Sequence, residues 1–339
     1  MTKFGSAPTL EDVASKAGVS TATVSRCLNE PDRVLEATRK RVMSAVEELG
    51  YTPNFAARVM AAKRTFTIGA IIPTMENSIF AWGLQAFQEE IHKRGYTLLV
   101  SSSAYKPEVE EEQIRNLVAR GADGLLLIGH DRDPSIYDYI DRQNVPVMVA
   151  WSYMPGKRSP SIGFDNRQAM RALTDKVIGL GHTHIAMISG ISLGNDRARL
   201  RIEGVRDAIA DNGLPADMLS VIETPYEIEN GAAAFADLIS RTPRPTAILC
   251  GNDVLAVGAM REAQKMGIRV PEDVSVTGFD DIELARIVSP TLTTVHVPHR
   301  EMGRKAALEL IEMIENGTPG NSVQLSTEIV ERQSLSRAI

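Results

Sequence analysis

The chain has little sulfur and no long apolar run. Its two cysteines in 339 residues, Cys27 and Cys250, leave nothing from which to build a disulfide framework or a thiolate metal site. Both are read as small buried thiols. No uninterrupted apolar stretch approaches the span of a bilayer, and the opening MTKFGSAPTLEDV lacks the apolar run and small-residue cleavage site of a secretory signal. Those absences predict a cytoplasmic protein with no membrane partner. The segments GAIIPTM and GNDVLAVG carry neither G-x-G-x-x-G nor G-x-x-x-x-G-K-S/T, so no cradle for nucleotide phosphates and no cofactor is expected. The net charge of -6, taken alone, argues against a nucleic-acid partner.

The distribution of charge reverses that inference. Residues 1–64 carry ten Lys and Arg against seven Asp and Glu, leaving 27 against 36 in the remainder. That modest positive surplus belongs to the stretch that contains the segment TLEDVASKAGVSTATVSRCLN, residues 9 to 29, which reads as a helix, a tight turn and a second helix. Thr9 and Asp12 have the spacing of a capping box, so the first helix begins near Leu10. Leu10, Val13, Ala14 and Ala17 give it one apolar face, and Gly18 supplies the left-handed conformation that ends it. Ser20 is a good N-cap for the next helix, in which Val24 and Leu28 point inward and Thr21, Ala22, Thr23, Ser25, Arg26 and Asn29 are left for other faces. Small and hydroxylated residues at a helix N-terminus let the backbone approach a phosphate or base edge, and Arg26 can fork onto guanine. The plainer account is a small helical bundle with a solvated polar face.

A third helix is predicted from about Leu35 to Leu49, stopping at Gly50. In YTPNFAARVMAAKRT, Pro53 and Asn54 open a short apolar helix, Asn54 to Ala62, carrying Arg58 and followed by Lys63 and Arg64. About nine residues make a marginal helix alone in water, so this one needs a second copy or DNA to hold it. From Phe66 onward, short apolar runs alternate with amphipathic stretches: TIGAIIP, YTLLVSS, GLLLIG, VPVMVAW, HIAMIS, SVIET, AILCGN and VSVTGFD. That alternation marks parallel sheets covered by helices, and eight strands are too many for one open sheet with one crevice.

These blocks together resemble the lactose/galactose repressor family of bacterial transcription regulators. The resemblance rests on TLEDVASKAGVSTATVSRCLN, ELGYTPN, IGAIIPTMENSIF, GLLLIG, GFDN, GH–I at 181 to 185, RLRIEG, AILCGNDVLAVGAM and VSVTGFDD followed by PTLTTV. It implies an all-α helix-turn-helix headpiece followed by an α/β periplasmic-binding-protein-like core of two Rossmann-like subdomains. The implied domains are a headpiece at 1–53, a hinge helix and linker at 54–64, and a core at 65–339. Within the core, the first subdomain takes about 65–163 plus 295–321, and the second about 164–294 plus 322–339. By position, Thr21, Ala22, Thr23, Ser25 and Arg26 fall on the recognition helix in the major groove, and Asn29 and Arg33 against backbone or flanking bases. Asn54, Ala57 and Met60 fall on the hinge helix, with Met60 at the position that wedges a minor-groove base step.

In the core, the resemblance maps ligand contacts to Pro73, Asn77, Ile79, Phe80, Tyr105, Ile128, Trp151, Phe164, Arg201, Tyr226, Asn252 and Asp280. Ligands in such sheets lie beyond the carboxyl ends of the strands. Asp280 and Asn252 can bond neighbouring hydroxyls, Arg201 can fork onto a hydroxyl pair or carboxylate, and the aromatic rings offer flat faces to C–H surfaces. AYKP at 104 to 107 and IGFDN at 162 to 166 look most like the gluconate-repressor branch, which implies a sugar or sugar-acid effector with Arg201, Lys106, His130 or His299 as its cation. The implied partners are a pseudo-palindromic double-stranded DNA operator, a small-molecule effector and a second copy of the chain. No tetramer is expected, since QSLSRAI adds no leucine heptads.

Two other readings compete with this one. His182 and His184 have the H-x-H look of a metal site and Asp280 with Asp281 could be paired carboxylates, but no third ligand stands at a useful spacing, so no metal and no enzyme are expected. A solute-binding protein shares the two-lobed fold; the headpiece and the missing signal sequence tell against it.

Overall fold

A computed structural model of the chain describes residues 7–52 and 64–338. The expected hinge helix, with Asn54, Ala57 and Met60, and the side chain of Asn29 lie outside the described residues. The chain divides into two compact units, Met1–Thr65 and Phe66–Ile339.

The first unit holds α1 (Leu10–Ala17), α2 (Thr21–Asn29) and α3 (Glu36–Leu49). At its start the Thr9 N–H donates to Asp12 Oδ2 at 2.8 Å and the Asp12 N–H donates to Thr9 Oγ1 at 3.2 Å, a reciprocal pair that satisfies two orphan donors. Gly18 ends α1 at φ 63°, and Ser20 Oγ accepts the Thr23 N–H at 3.2 Å. The apolar faces of the three helices meet on Val13, Val24, Cys27, Val42, Ala45 and Tyr51. Leu35 is the N-cap of α3 rather than its first residue.

In the second unit the chain runs β1 (Thr67–Ile72), α4 (Ser78–Lys93), β2 (Thr97–Ser102), α5 (Pro107–Ala119), β3 (Gly124–Ile128), α6 (Pro134–Arg142), β4 (Val147–Ala150) and β5 (Ser161–Gly163). It continues with α7 (Asn166–Gly179), β6 (Ile185–Ser189), α8 (Asp196–Asp211), β7 (Leu219–Glu223), α9 (Ile228–Ser240), β8 (Ala247–Cys250), α10 (Asp253–Lys265) and β9 (Ser275–Thr277). It closes with α11 (Leu284–Ile287), β10 (Thr294–His296), α12 (His299–Asn316), β11 (Val323–Gln324) and β12 (Glu328–Val330). A six-stranded sheet of order β11-β5-β4-β3-β1-β2 builds one lobe, and a four-stranded sheet β7-β6-β8-β9 builds the other. Both are parallel. Antiparallel β10 and β12 pair in the segments that pass between the lobes. Near-continuous burial of β1, β3, β4, β6 and β8 follows from helices covering both faces.

All eight strands expected from apolar runs are present. The additional β5, β10, β11 and β12 are only two or three residues long, too short to show a period. One expectation is corrected: 322–339 does not all return to the second lobe, because Val323 and Gln324 pair with Ile162 and Gly163 in the first. The return begins after β11, and Ser334 Oγ then donates to Val276 O at 2.6 Å.

His182 has a structural place. Its Nδ1 lies 2.9 Å from Thr246 Oγ1 and its Nε2 3.0 Å from Ser336 O, which tethers the last segment to the second sheet. Among the described residues no group of His, Cys, Asp or Glu could hold a metal ion, and no helix is long and apolar enough to cross a membrane.

Two glycines let α4 and α12 touch. A Cβ on Gly303 would stand 1.9 Å from Gly83 O, and one on Gly83 would stand 2.4 Å from the Trp151 ring. Backbone cannot yield as a side chain can, so Gly303→Ala is expected to cost about 1–3 kcal/mol of stability through overpacking. Urea unfolding monitored by circular dichroism measures it; an unchanged midpoint would contradict the close approach.

Candidate functional site

The carboxyl ends of both sheets face one cleft, and strand-end loops deliver side chains into it. From the first lobe, Asn77 caps α4 by accepting the Ile79 N–H at 3.2 Å, which sets Ile79 and Phe80 on the first turn. Tyr105 follows β2 and Trp151 follows β4. From the second lobe, Asn195 and Asn252 cap α8 and α10, Tyr226 follows β7, and Asp280 follows β9. These residues, with Arg197 and Arg201, enclose a cavity of about 20 Å³, room for about one water. Toward solvent it continues into a chamber of about 440 Å³, and Asn77, Tyr105, Asn195 and Tyr226 line both.

Backbone strain concentrates here. Ala104, Tyr105, Trp151, Asp280 and Asp281 all hold positive φ, at 51°, 58°, 62°, 105° and 56°, a conformation that costs non-glycine residues free energy and clusters at functional sites.

Arg201 is buried at 5% exposure. Its Nε donates to Asn166 Oδ1 at 2.9 Å and its Nη1 to Gly251 O at 2.5 Å. Its guanidinium lies 3.8 Å from the centroid of Phe279. Asn166 in turn donates to Trp151 O at 3.1 Å, so the network reaches the first lobe. Asp280 Oδ1 stands 3.9 Å from Arg201 Nη2 and is buried without a hydrogen bond. Burial pushes the Asp280 carboxyl up to about 7, and Arg201 offsets only part of that.

A second set of bonds latches the lobes beside the cavity. Asp196 Oδ2 accepts the His130 N–H at 2.8 Å, and Asp196 Oδ1 accepts from Arg197 Nη1 at 3.0 Å. Burial works against the Asp196 charge, yet Arg197 and the His130 N–H outweigh it and hold its pKa below the ordinary value. Arg199 forks onto both oxygens of Asp131, with Nη2 2.8 Å from Oδ1.

Of the residues expected in the cleft, Asn77, Ile79, Phe80, Tyr105, Trp151, Arg201, Tyr226, Asn252 and Asp280 are brought together. Ile128 and Phe164 are not on the cavity. Both belong to the apolar core beneath it, Phe164 stacked on Phe279 with centroids 5.8 Å apart. Pro73 is likewise buried, its carbonyl accepting from Ser102 Oγ at 3.3 Å. Three expected cations are corrected. Burial pushes His130 down to about 4 and His299 down to about 3, so both are neutral. The Nδ1 of His299 accepts from Trp151 Nε1 at 3.1 Å. Lys106 is the exposed N-cap of α5, off the cavity. Arg197 and Asn195 were missed. The signal was available for Arg197, which stands four residues before Arg201 and so on the same helix face.

In the first unit, Thr21, Ala22 and Arg26 are exposed on α2, while Thr23 and Ser25 are half-buried. Thr23 Oγ1 is 2.9 Å from Ser20 Oγ, and Arg33 makes an exposed pair with Glu30 at 2.8 Å.

Residues 9–54 match the model of bacterial regulatory proteins of the lacI family, and residues 174–335 match the periplasmic binding protein-like domain. The chain is 35% identical over 329 residues to the HTH-type transcriptional repressor PurR of Vibrio atlanticus (strain LGP32), covering 96% of this chain and 98% of that protein. This chain belongs to the lacI family. A LacI-family transcriptional regulator from Silicibacter pomeroyi superposes with a TM-score of 0.87 at 26% identity, over 97% of this chain and 100% of that one. The lac repressor dimer bound to operator and the anti-inducer ONPF does so at 0.86 and 28%, over 97% and 99%. As a lacI-family member the protein is a DNA-binding transcriptional repressor under small-molecule control, and no enzyme. The narrower placement in a gluconate-repressor branch is not carried by the PurR relatives.

Because the folded pKa of Asp280 lies above the ordinary 3.8, the folded protein keeps a proton that the unfolded chain gives up. This group's contribution to stability therefore falls as pH rises from about 4 to about 7 and is flat beyond. Asp280→Asn removes that slope. The variant's Tm relative to the parent is expected to climb across this window in a pH series of melting curves; a difference independent of pH would show that the carboxyl is not raised.

Proposed function

We propose that the protein is a dimeric repressor that binds a pseudo-palindromic operator and is released or recruited by a sugar-acid effector such as gluconate. The headpiece, 1–53, puts Thr21, Ala22, Thr23, Ser25 and Arg26 in the major groove, with Asn29 and Arg33 beside it. The hinge, 54–64, puts Asn54, Ala57 and Met60 at the minor groove. The protein acts in the cytoplasm, where its operator is. The small positive surplus of residues 1–64, which comes from Arg58, Lys63 and Arg64 in the hinge and linker, makes one copy a weak, salt-sensitive binder, and two-fold pairing multiplies it.

The observation that carries the effector reading is the pair Arg197 and Arg201, both buried on one face of α8. Asp196 neutralises the first, while Asp280, drawn toward its protonated form, only partly answers the second. A carboxylate reaching these arginines from the adjoining chamber of about 440 Å³, with the lobes parted to widen the inner cavity, completes the balance with charge-assisted hydrogen bonds. Asn195, Asn252 and Asn77 supply donors and acceptors for hydroxyls, and Phe80, Trp151 and Tyr226 supply faces for C–H surfaces. Effector binding changes how the lobes meet across the Asp196–His130 and Arg199–Asp131 contacts, and the shift in operator affinity is bounded by the effector's differential affinity for the two arrangements. A second reading is a purine-type co-repressor, favoured by the 35% identity to repressors named PurR along the whole chain.

Two measurements test these readings. In mobility-shift titrations, Arg26→Ala is expected to weaken operator binding about tenfold or more, the scale of one bidentate base contact; unchanged affinity and sequence preference would remove α2 from the interface. In a thermal-shift screen of sugars, sugar acids and purines, sugar acids are expected to raise Tm in the parent and not in Arg201→Ala. A response confined to purines would replace the sugar-acid reading with the second one.

A further inference from the structure

Two successive carboxyls after β9 meet opposite fates. Asp280 lines the inner cavity and Asp281 does not. Both hold positive φ, 105° and 56°, which Asp tolerates better than most side chains, and their carboxyls enter different surroundings. Asp280 Oδ1 is buried without a hydrogen bond, whereas Asp281 is buried among three donors. Arg332 Nη2 donates to Asp281 Oδ1 at 2.5 Å, His296 Nδ1 lies 3.1 Å from Oδ2, and Arg286 Nη2 donates to that same oxygen at 3.3 Å. Burial works against the Asp281 charge, yet Arg332, His296 and Arg286 outweigh it and hold its pKa below the ordinary value.

Two of these donors come from segments that join the lobes. His296 ends β10, on the way from the second lobe to α12, which packs on α4 and β4 of the first. Arg332 follows β12, on the way back. β10 pairs with β12, Val295 opposite Ile329. It also meets the chain at the cavity wall, where the Asp280 N–H donates to Val295 O and the Gly278 N–H to Thr293 O, each at 2.9 Å. The wall and the two crossings thus lie side by side, and Arg332 spans them. Its N–H donates to Thr293 Oγ1 at 2.9 Å, its Nη1 to Leu292 O at 2.8 Å and its Nη2 to Asp281. Side-chain exposure is 14% at Arg332, 45% at His296 and 63% at Arg286, so water and salt screen the Arg332 pair least.

We infer that Asp281 is a positioning residue for the regulatory response: by binding Arg332 and His296 it fixes both crossings to the peptide that bears Asp280, and so sets the angle at which the lobes meet. Lobes joined by such segments turn only as the segments themselves turn. A ligand that contacts Asp280 acts on the hinge through the adjoining peptide, whichever ligand fills the cleft. With Asp281 neutral, Arg332 keeps Leu292 O and Thr293 Oγ1 but loses its grip on the cavity wall, and the lobes are freed to part at the Asp196–His130 contact.

Hydrogen exchange of the full-length protein, read by mass spectrometry without any ligand, tests this. Asp281→Asn keeps the side-chain shape, and Asn tolerates positive φ. In that variant the amides of 293–297 and 328–332 are expected to exchange about tenfold faster. The peptide 128–132, where Asp196 holds the His130 N–H, is expected to follow them, while β6 and β8 exchange as in the parent. Arg332→Gln is expected to reproduce the pattern, the double variant to exceed neither single one, and Arg286→Gln to match the parent. The peptide 128–132 carries the decision, because a brace of purely local effect does not reach it. Acceleration confined to the two crossings, uniform acceleration through both sheets, or additive effects of Asp281→Asn and Arg332→Gln would overturn the inference.

Discussion

A guanidinium taken out of water must be repaid in hydrogen bonds, and Arg201 meets that demand from several directions at once. Asn166, Gly251 O and the face of Phe279 surround it, and Asp280 completes the shell at longer range. Because Asn166 also holds Trp151 O, satisfying one buried charge sets the distance between strand ends in both lobes. An isolated buried charge is among the most costly groups a protein can carry. The cleft is therefore a place where the lobes have to agree.

That constraint explains the unusual backbone. The strained φ values at Tyr105, Trp151 and Asp280 are the conformations that turn these side chains inward from strand ends. The packing around them is rigid: Gly83 leaves room for the Trp151 ring, and the contact of α4 with α12 leaves none for anything larger than glycine. Beside the cavity, Asp196 and Arg199 of the second lobe grip residues 130 and 131 of the first. These bonds are few and charged, and Asp196 also holds Arg197 on the cavity, so a ligand held by Arg197 would share atoms with the lobe contact. Coupling of this kind needs no long pathway within the core, only two arrangements of one interface that a ligand distinguishes.

Much of the fold was legible because its signals are local. Thr9 with Asp12, Gly18 and Ser20 bound the first two helices through hydrogen bonds between neighbours in the chain, and eight apolar runs mark strands buried on both faces. The missed strands are two or three residues long and form only because the chain crosses between lobes there. The strand-end residues of the cleft were found by resemblance and mostly converge, whereas Ile128 and Phe164 point into the core. Spacing on α8 could have revealed Arg197. Nothing local could have excluded His130 and His299 as cations.

The sequence by itself determined the helix boundaries of the headpiece, the alternation that makes two parallel sheets, and the family to which the chain belongs, since each depends on residue identity within a short window. Tertiary structure alone decided which histidines lose their charge, that burial pushes the Asp280 carboxyl up, and that Arg197 joins Arg201 on the cavity. Those properties depend on desolvation and on distances between groups far apart in the chain, quantities that exist only once the lobes have packed.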